Sequence, residues 1–177
     1  MNPKRQTAIK WGLIGGVSSA LLGLLFFILN VKSSSWLNYL SFAVMIGVII
    51  AGTYEFRDKI LGGFASLKQL LGFGILVALV YGLISSIWAV FFMEVLNPEL
   101  VKEILLDTEI RMEEQGISDE QIKQALEVTK KMMKPYIFFF TSLFSILFFG
   151  SLVSLLTSVV MRKYKPEEII IEEKLAE

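Results

Sequence analysis

Ten of the chain's seventeen acidic residues crowd into one stretch: Glu94, Glu99, Glu103, Asp107, Glu109, Glu113, Glu114, Asp119, Glu120 and Glu127. Carboxylates at that density suit either a hard cation or a charged docking surface for another protein. A calcium loop would space its ligands as D-x-D-x-D-G, and no such run is present. The docking surface needs only a helix that carries the acids outward. A second charged cluster is Glu55-Phe56-Arg57-Asp58-Lys59, with Lys68 shortly after it. Its mixed signs suit mutual pairing, and Arg57, Lys59 and Lys68 suit contact with lipid headgroups.

Other reagents are missing. The chain has no Cys and no His, which removes thiol chemistry, disulfides, the commonest metal ligand and the neutral-pH acid–base group. There is no phosphate-cradling glycine loop, no H-E-x-x-H and no nucleophile elbow. Seventeen bases balance seventeen acids, so the formal charge is zero, which argues against a nucleic-acid partner. The expectation is a protein that is not an enzyme and carries no cofactor and no metal.

The elements that must position the acids are apolar. Hydrophobic residues are 54% of the chain and mean hydropathy is +0.63. Four stretches, 11–31, 36–54, 69–93 and 136–161, contain no charge at all. Each is about twenty residues or more, enough for a helix to cross roughly 30 Å of hydrocarbon. Barrel strands would be shorter and would alternate in polarity, so helices are expected. Lys4, Arg5 and Lys10 precede the first stretch like a signal-peptide n-region, but its apolar run is too long and no A-x-A site follows, so it reads as a retained span. Trp11, Trp36 and Tyr136 open spans, and Tyr54 and Tyr164 stand at or just past span ends, where aromatic rings favour the headgroup level. No ionisable side chain lies inside a span, although membrane enzymes and ion-coupled transporters place such groups there. The fold class expected is all-α: an integral membrane four-helix bundle, residues 1–177 as a single membrane domain, with an extramembrane helical hairpin between spans 3 and 4.

Four spans put both termini on one side. Ten bases (Lys4, Arg5, Lys10, Arg57, Lys59, Lys68, Arg162, Lys163, Lys165, Lys174) share that side, against seven (Lys32, Lys102, Arg111, Lys123, Lys130, Lys131, Lys134) on the other. The positive-inside rule therefore makes the termini cytoplasmic and 94–135 extracytoplasmic. The hairpin itself, 97–134, carries helix punctuation. Asn97-Pro98 reads as an N-cap with Pro at the first helical position. Val101, Ile104, Leu105, Thr108 and Met112 form a stripe, and Gly116 fits the terminating left-handed position. Ser118 and Gln121 read as a capping box, with Ile117 and Ile122 as a staple. Ile122, Ala125, Leu126, Thr129, Met132 and Met133 form the second stripe, and Pro135 ends it. The tail 165–177, after basic Arg162 and Lys163, reads as flexible.

Helices in lipid associate through small residues that let backbones approach. Gly12, Gly16 and Ala20 make such a ladder in span 1, and Gly74, Ala78, Gly82 and Ser86 make a longer one in span 3. Span 2 offers Ala43, Gly47 and Ala51, and span 4 offers Gly150, Ser154 and Ser158. These faces serve internal packing or, most plausibly in span 3, a second copy or another subunit.

The order of these features resembles the domain of unknown function 4199 family. The pieces are GLIGG (Gly12–Gly16), EFRDKILGGF (Glu55–Phe64), ASLKQLLGFG (Ala65–Gly74), NPEL (Asn97–Leu100) and the long acidic connector before the last span. The resemblance implies a bacterial inner-membrane protein of four spans and transfers no catalytic residue. The expected partners are membrane lipids, and a protein partner or a second copy through the small-residue faces or the acidic hairpin. The expected role is a non-enzymatic accessory or scaffold subunit; the alternative is a small-solute or lipid-handling transporter or channel formed by oligomerisation.

Overall fold

In a computed structural model of the protein, residues 2–29 and 35–164 are described, the side chains of 35–38 excepted. The end of the first stretch, the Trp36 side chain and the tail 165–177 lie outside what can be described. Among the described residues the α elements are α1 (Pro3–Ile28), α2 (Ser35–Glu55), α3 (Leu67–Phe91), α4 (Leu100–Glu114), α5 (Asp119–Met132) and α6 (Pro135–Met161). Wider π turns, Phe56–Ile60 and Phe92–Leu96, extend α2 and α3. Four helical segments, Pro3–Ile28, Tyr39–Ile60, Leu67–Leu96 and Pro135–Met161, are long and apolar enough to cross a membrane. The fold is therefore the expected all-α, four-span architecture.

Local chemistry explains most helix ends. α1 begins well before Trp11, because Asn2 caps it: its side chain accepts from the Lys4 N–H at 3.0 Å, and Pro3 takes the first helical position. α3 opens on a complete capping box. The Ser66 N–H donates to Gln69 Oε1 (2.9 Å) and the Gln69 N–H donates to Ser66 Oγ (3.4 Å). Two consecutive glycines, Gly62 (φ 69°) and Gly63 (φ 89°), make the turn between the first π segment and α3, at angles that a Cβ disfavours. Replacing Ser66 with Ala should lower stability by about 1 kcal/mol, the usual worth of such a cap. Thermal melts of the purified protein in mild detergent will read that loss; an unchanged midpoint would mean that the fold holds this helix start without its cap.

The chain forms two compact units, Met1–Ser85 with Ser145–Glu177, and Ser86–Phe144. In the first, the interior is Ile49 of α2, Leu70, Phe73, Val77 and Ala78 of α3, and the small side of α6, all but sealed from solvent. Phe56 stacks flat on Phe73, ring centroids 4.4 Å apart. An isolated antiparallel bridge ties Ala65 to Lys163 through both backbone groups, at 2.8 and 3.0 Å. In the second unit, α4 and α5 form a helical hairpin with their stripes turned inward: Val101, Ile104, Leu105, Thr108 and Met112 are half-buried and Ile122 is buried. Met132, assigned to the second stripe by spacing, is instead exposed at the last turn of α5.

Candidate functional site

The small residues of the first unit form its joints. A Cβ on Gly12 would stand 2.5 Å from the Cβ of Val80, and one on Gly16 would stand 2.8 Å from the Cβ of Ile84. These glycines therefore let α1 lie directly on α3, with Ala20 half-buried further along the same ladder. Gly74 and Ala78 of α3 face α6. A Cβ on Gly74 would overlap the Ser154 side chain, and one on Gly150 would stand 2.6 Å from the Ala78 Cβ. Ser154 Oγ also donates to the Leu71 carbonyl (3.1 Å). Gly82 is buried, and Ser86, which falls in the second unit, is fully buried with no partner for its hydroxyl among the described residues. Of the two uses open to the span 3 ladder, internal packing takes Gly74 and Ala78, which meet a helix of the same chain. The outward small-residue face belongs to α2, where Ala43 and Gly47 are exposed and nothing stands within 4 Å of a Cβ built on Gly47.

One polar network crosses the first unit. The Tyr81 hydroxyl donates to the Ser41 carbonyl (3.2 Å) and so accepts from Ser19 Oγ (2.9 Å), linking α3 to α2 and α1 with one proton each way.

Charge gathers where α2 ends. Glu55 accepts from Lys10 Nζ at 2.6 and 2.7 Å and from the Trp11 indole N–H at 2.7 Å. Arg57 forks onto Asp58 (Nε–Oδ1 2.6 Å, Nη2–Oδ2 3.2 Å) and donates through Nη1 to the Met161 carbonyl at the C-terminus of α6 (3.3 Å). A cation there satisfies an orphan carbonyl and meets the negative end of the helix dipole. The Arg57 guanidinium also lies 5.1 Å from the Tyr54 ring centroid. Of the three interface bases read from the sequence, Arg57 is therefore bound into the fold, whereas Lys59 and Lys68 are exposed. The pairing expected within Glu55–Lys59 is found for Arg57 with Asp58; Glu55 instead reaches across to α1.

The hairpin's acids surround a groove of about 550 Å³ between α4 and α5. Leu105, Ile122 and Leu126 line its apolar part; Glu109, Glu113, Asp119 and Glu127 give it four carboxylates against Lys123 and Lys130. Among the described residues no three carboxylates converge as a cation would require. The punctuation is mixed. Gly116 (φ 71°) closes α4 in a complete Schellman motif, with Ile117 N–H to Met112 C=O at 3.1 Å and Gly116 N–H to Glu113 C=O at 2.9 Å. Ser118 is the N-cap of α5, as its spacing predicts, but its hydroxyl donates to Gln121 Oε1 (3.2 Å) and no side chain caps the backbone. The Asn97 expectation is corrected. Its N–H turns back to the Phe92 carbonyl (2.8 Å), which makes it the end of the second π turn, so α4 starts at Leu100 after Pro98 and Glu99. The Asn97 carbonyl accepts the Leu100 N–H (3.1 Å), so Asn97 joins the two helices through its backbone, and Glu99 stands at the N-cap position of α4.

The capping box at Ser66 and the Asn2-Pro3 start both carry local sequence signals, S-x-x-Q and N-P. The Lys10–Glu55–Trp11 cluster and the Arg57–Met161 bond carry none, because their partners lie far apart in the chain. Comparison with curated proteins and with solved structures returns no match. The family described as Protein of unknown function (DUF4199) matches residues 10–163. That stretch takes in most of α1, the other three apolar helices, both charged clusters and the hairpin, and the chain is a member of that family, a multi-pass membrane protein.

Proposed function

We propose that the protein is a non-enzymatic accessory or scaffold subunit of the bacterial inner membrane, with both termini cytoplasmic and the 94–135 hairpin outside, where it docks a basic, amphipathic segment of a partner protein. The observation that carries this reading is the α4–α5 groove, apolar at Leu105, Ile122 and Leu126 and bordered by four carboxylates. An amphipathic helix lays its apolar face into such a groove, and opposite charge at the rim sets partner choice and encounter rate. The ten-to-seven distribution of bases supports the orientation. The close-packed small-residue joints of the first unit support a structural role over a solute path.

The test combines topology with docking. A reporter fused after Met112 is expected to behave as extracytoplasmic. A photo-crosslinker at Lys123, in the groove, is expected to capture a partner through a basic segment, and Glu109→Lys with Glu127→Lys is expected to cut that capture by about tenfold or more, since like charges set against each other at an interface cost several kcal/mol. Solitary, monomeric migration under several gentle detergent conditions, or capture indifferent to the reversals, would remove the reading.

A further inference from the structure

A second groove, of about 460 Å³, runs along the outer face of α2 within the first unit. Trp11, Gly47, Ile50, Ala51 and Met161 make its wall apolar, and Glu55, Asp58 and Lys59 stand at one end. Gly47 and Ile50 are exposed and belong to a membrane-crossing helix, so this trench opens onto acyl chains. The two acids at its end are already matched: Glu55 pairs with Lys10 at 2.6 Å and Asp58 with Arg57 at 2.6 Å. Lys59 is exposed, and no described ion pair includes it. The end of the trench therefore presents one cation beyond its internal pairs, flanked by Trp11 and Tyr54, ring types that favour the headgroup level.

We infer that this groove is a binding site for an anionic phospholipid, one acyl chain lying along Gly47 and Ala51 and the lipid phosphate meeting Lys59. The geometry divides the ligand as a glycerophospholipid is divided. Absent side chains at Gly47 leave width for a chain, and the charged end stands where α2 leaves hydrocarbon. A Lys near an anionic lipid surface contributes about 1 kcal/mol, a preference of roughly fivefold. The neutral zwitterionic headgroup has no such net attraction to gain. The site is independent of the hairpin and of its partner.

The experiment is lipid titration of the full-length protein in mild detergent, followed by native mass spectrometry, with phosphatidylglycerol and phosphatidylcholine of matched chains. The wild type is expected to retain phosphatidylglycerol about fivefold better. Lys59→Gln should bring the two lipids level, and Gly47→Phe should lower occupancy by both. Nothing stands within 4 Å of a Cβ at Gly47, so the new side chain starts into open space, and far-UV circular dichroism will check that the fold is kept. The native chain has no Cys, so Gly47→Cys also reads the competing occupant cleanly. Equal retention of both lipids by the wild type, or no effect of either substitution, overturns the site. Efficient disulfide dimers of Gly47→Cys in phosphatidylglycerol membranes overturn it as well, because a second copy would then cover the groove.

Discussion

Gly74→Leu is expected to destabilise the protein by about 3 kcal/mol. Overpacking a close-packed interior costs roughly 1–3 kcal/mol, and loss of an interhelical hydrogen bond in a membrane protein costs about 0.6 to 1.7 more. Both apply here. A Cβ at Gly74 runs into Ser154, whose hydroxyl bonds the Leu71 carbonyl at 3.1 Å, so α6 must either move away or give up that bond. Ile49, wholly buried, closes the third side at 3.5 Å and leaves no room to turn. Against a total stability of about 5–15 kcal/mol, the change should be plain in a denaturant or thermal titration in micelles. Compensation makes the test specific: Ser154→Gly removes the obstructing atoms, so Gly74→Ala with Ser154→Gly should be less destabilised than the two single effects added. Additive losses would show that α3 and α6 do not meet through this pair. Gly47→Leu, on the open face of α2, should leave stability within about 0.5 kcal/mol of wild type.

Glu55→Ala is the second large effect, about 2 kcal/mol. The carboxylate holds three hydrogen bonds from α1, two from Lys10 and one from the Trp11 indole. Their contributions are unequal. Lys10 is half exposed (49%), and ion pairs open to water are worth about 0.2–1 kcal/mol. Trp11 is half-buried against Gly52, whose Cβ would stand 3.0 Å from the indole, and Glu55 itself is only 19% exposed. A charge-assisted bond in such a place is worth about 1.5–3 kcal/mol. Glu55→Gln keeps a neutral acceptor for the indole and loses the ion pair and the charge assistance, so it should recover about half of the alanine loss. If Gln and Ala are equally destabilised, the Lys10 pair dominates and the indole bond contributes little. Chemical denaturation in detergent, with both variants run beside Lys10→Ala, separates the two.

The residues show how far sequence reasoning reaches in a protein of this kind. Spans were legible because lipid imposes a length and forbids charge, conditions met or failed within a single run of residues. Caps and stops at Asn2, Ser66, Gly116 and Pro135 are likewise local, since a side chain meets a backbone group two to four positions away. Asn97 carries the same N-P signal as Asn2 and behaves differently: the second π turn ends on it, and Pro98 and Glu99 stand between it and the first residue of α4. Such a turn leaves no propensity signature in FMEVL or FRDKI.

Local chemistry alone determined the helices, their number and the acidic hairpin between the third and fourth spans, but not the π turns that lengthen α2 and α3. Tertiary structure decided which face each span turns inward. A soluble helix announces that face by its apolar stripe, but a helix in oil is apolar all round, so composition marks four small-residue ladders and ranks none of them. Packing assigned Gly74 and Ala78 to α6, gave Gly12 and Gly16 to α3, and left Gly47 open. It also brought Lys10 to Glu55 and Arg57 to the end of α6, pairings that depend on how separate helices are docked and so are written in no single segment.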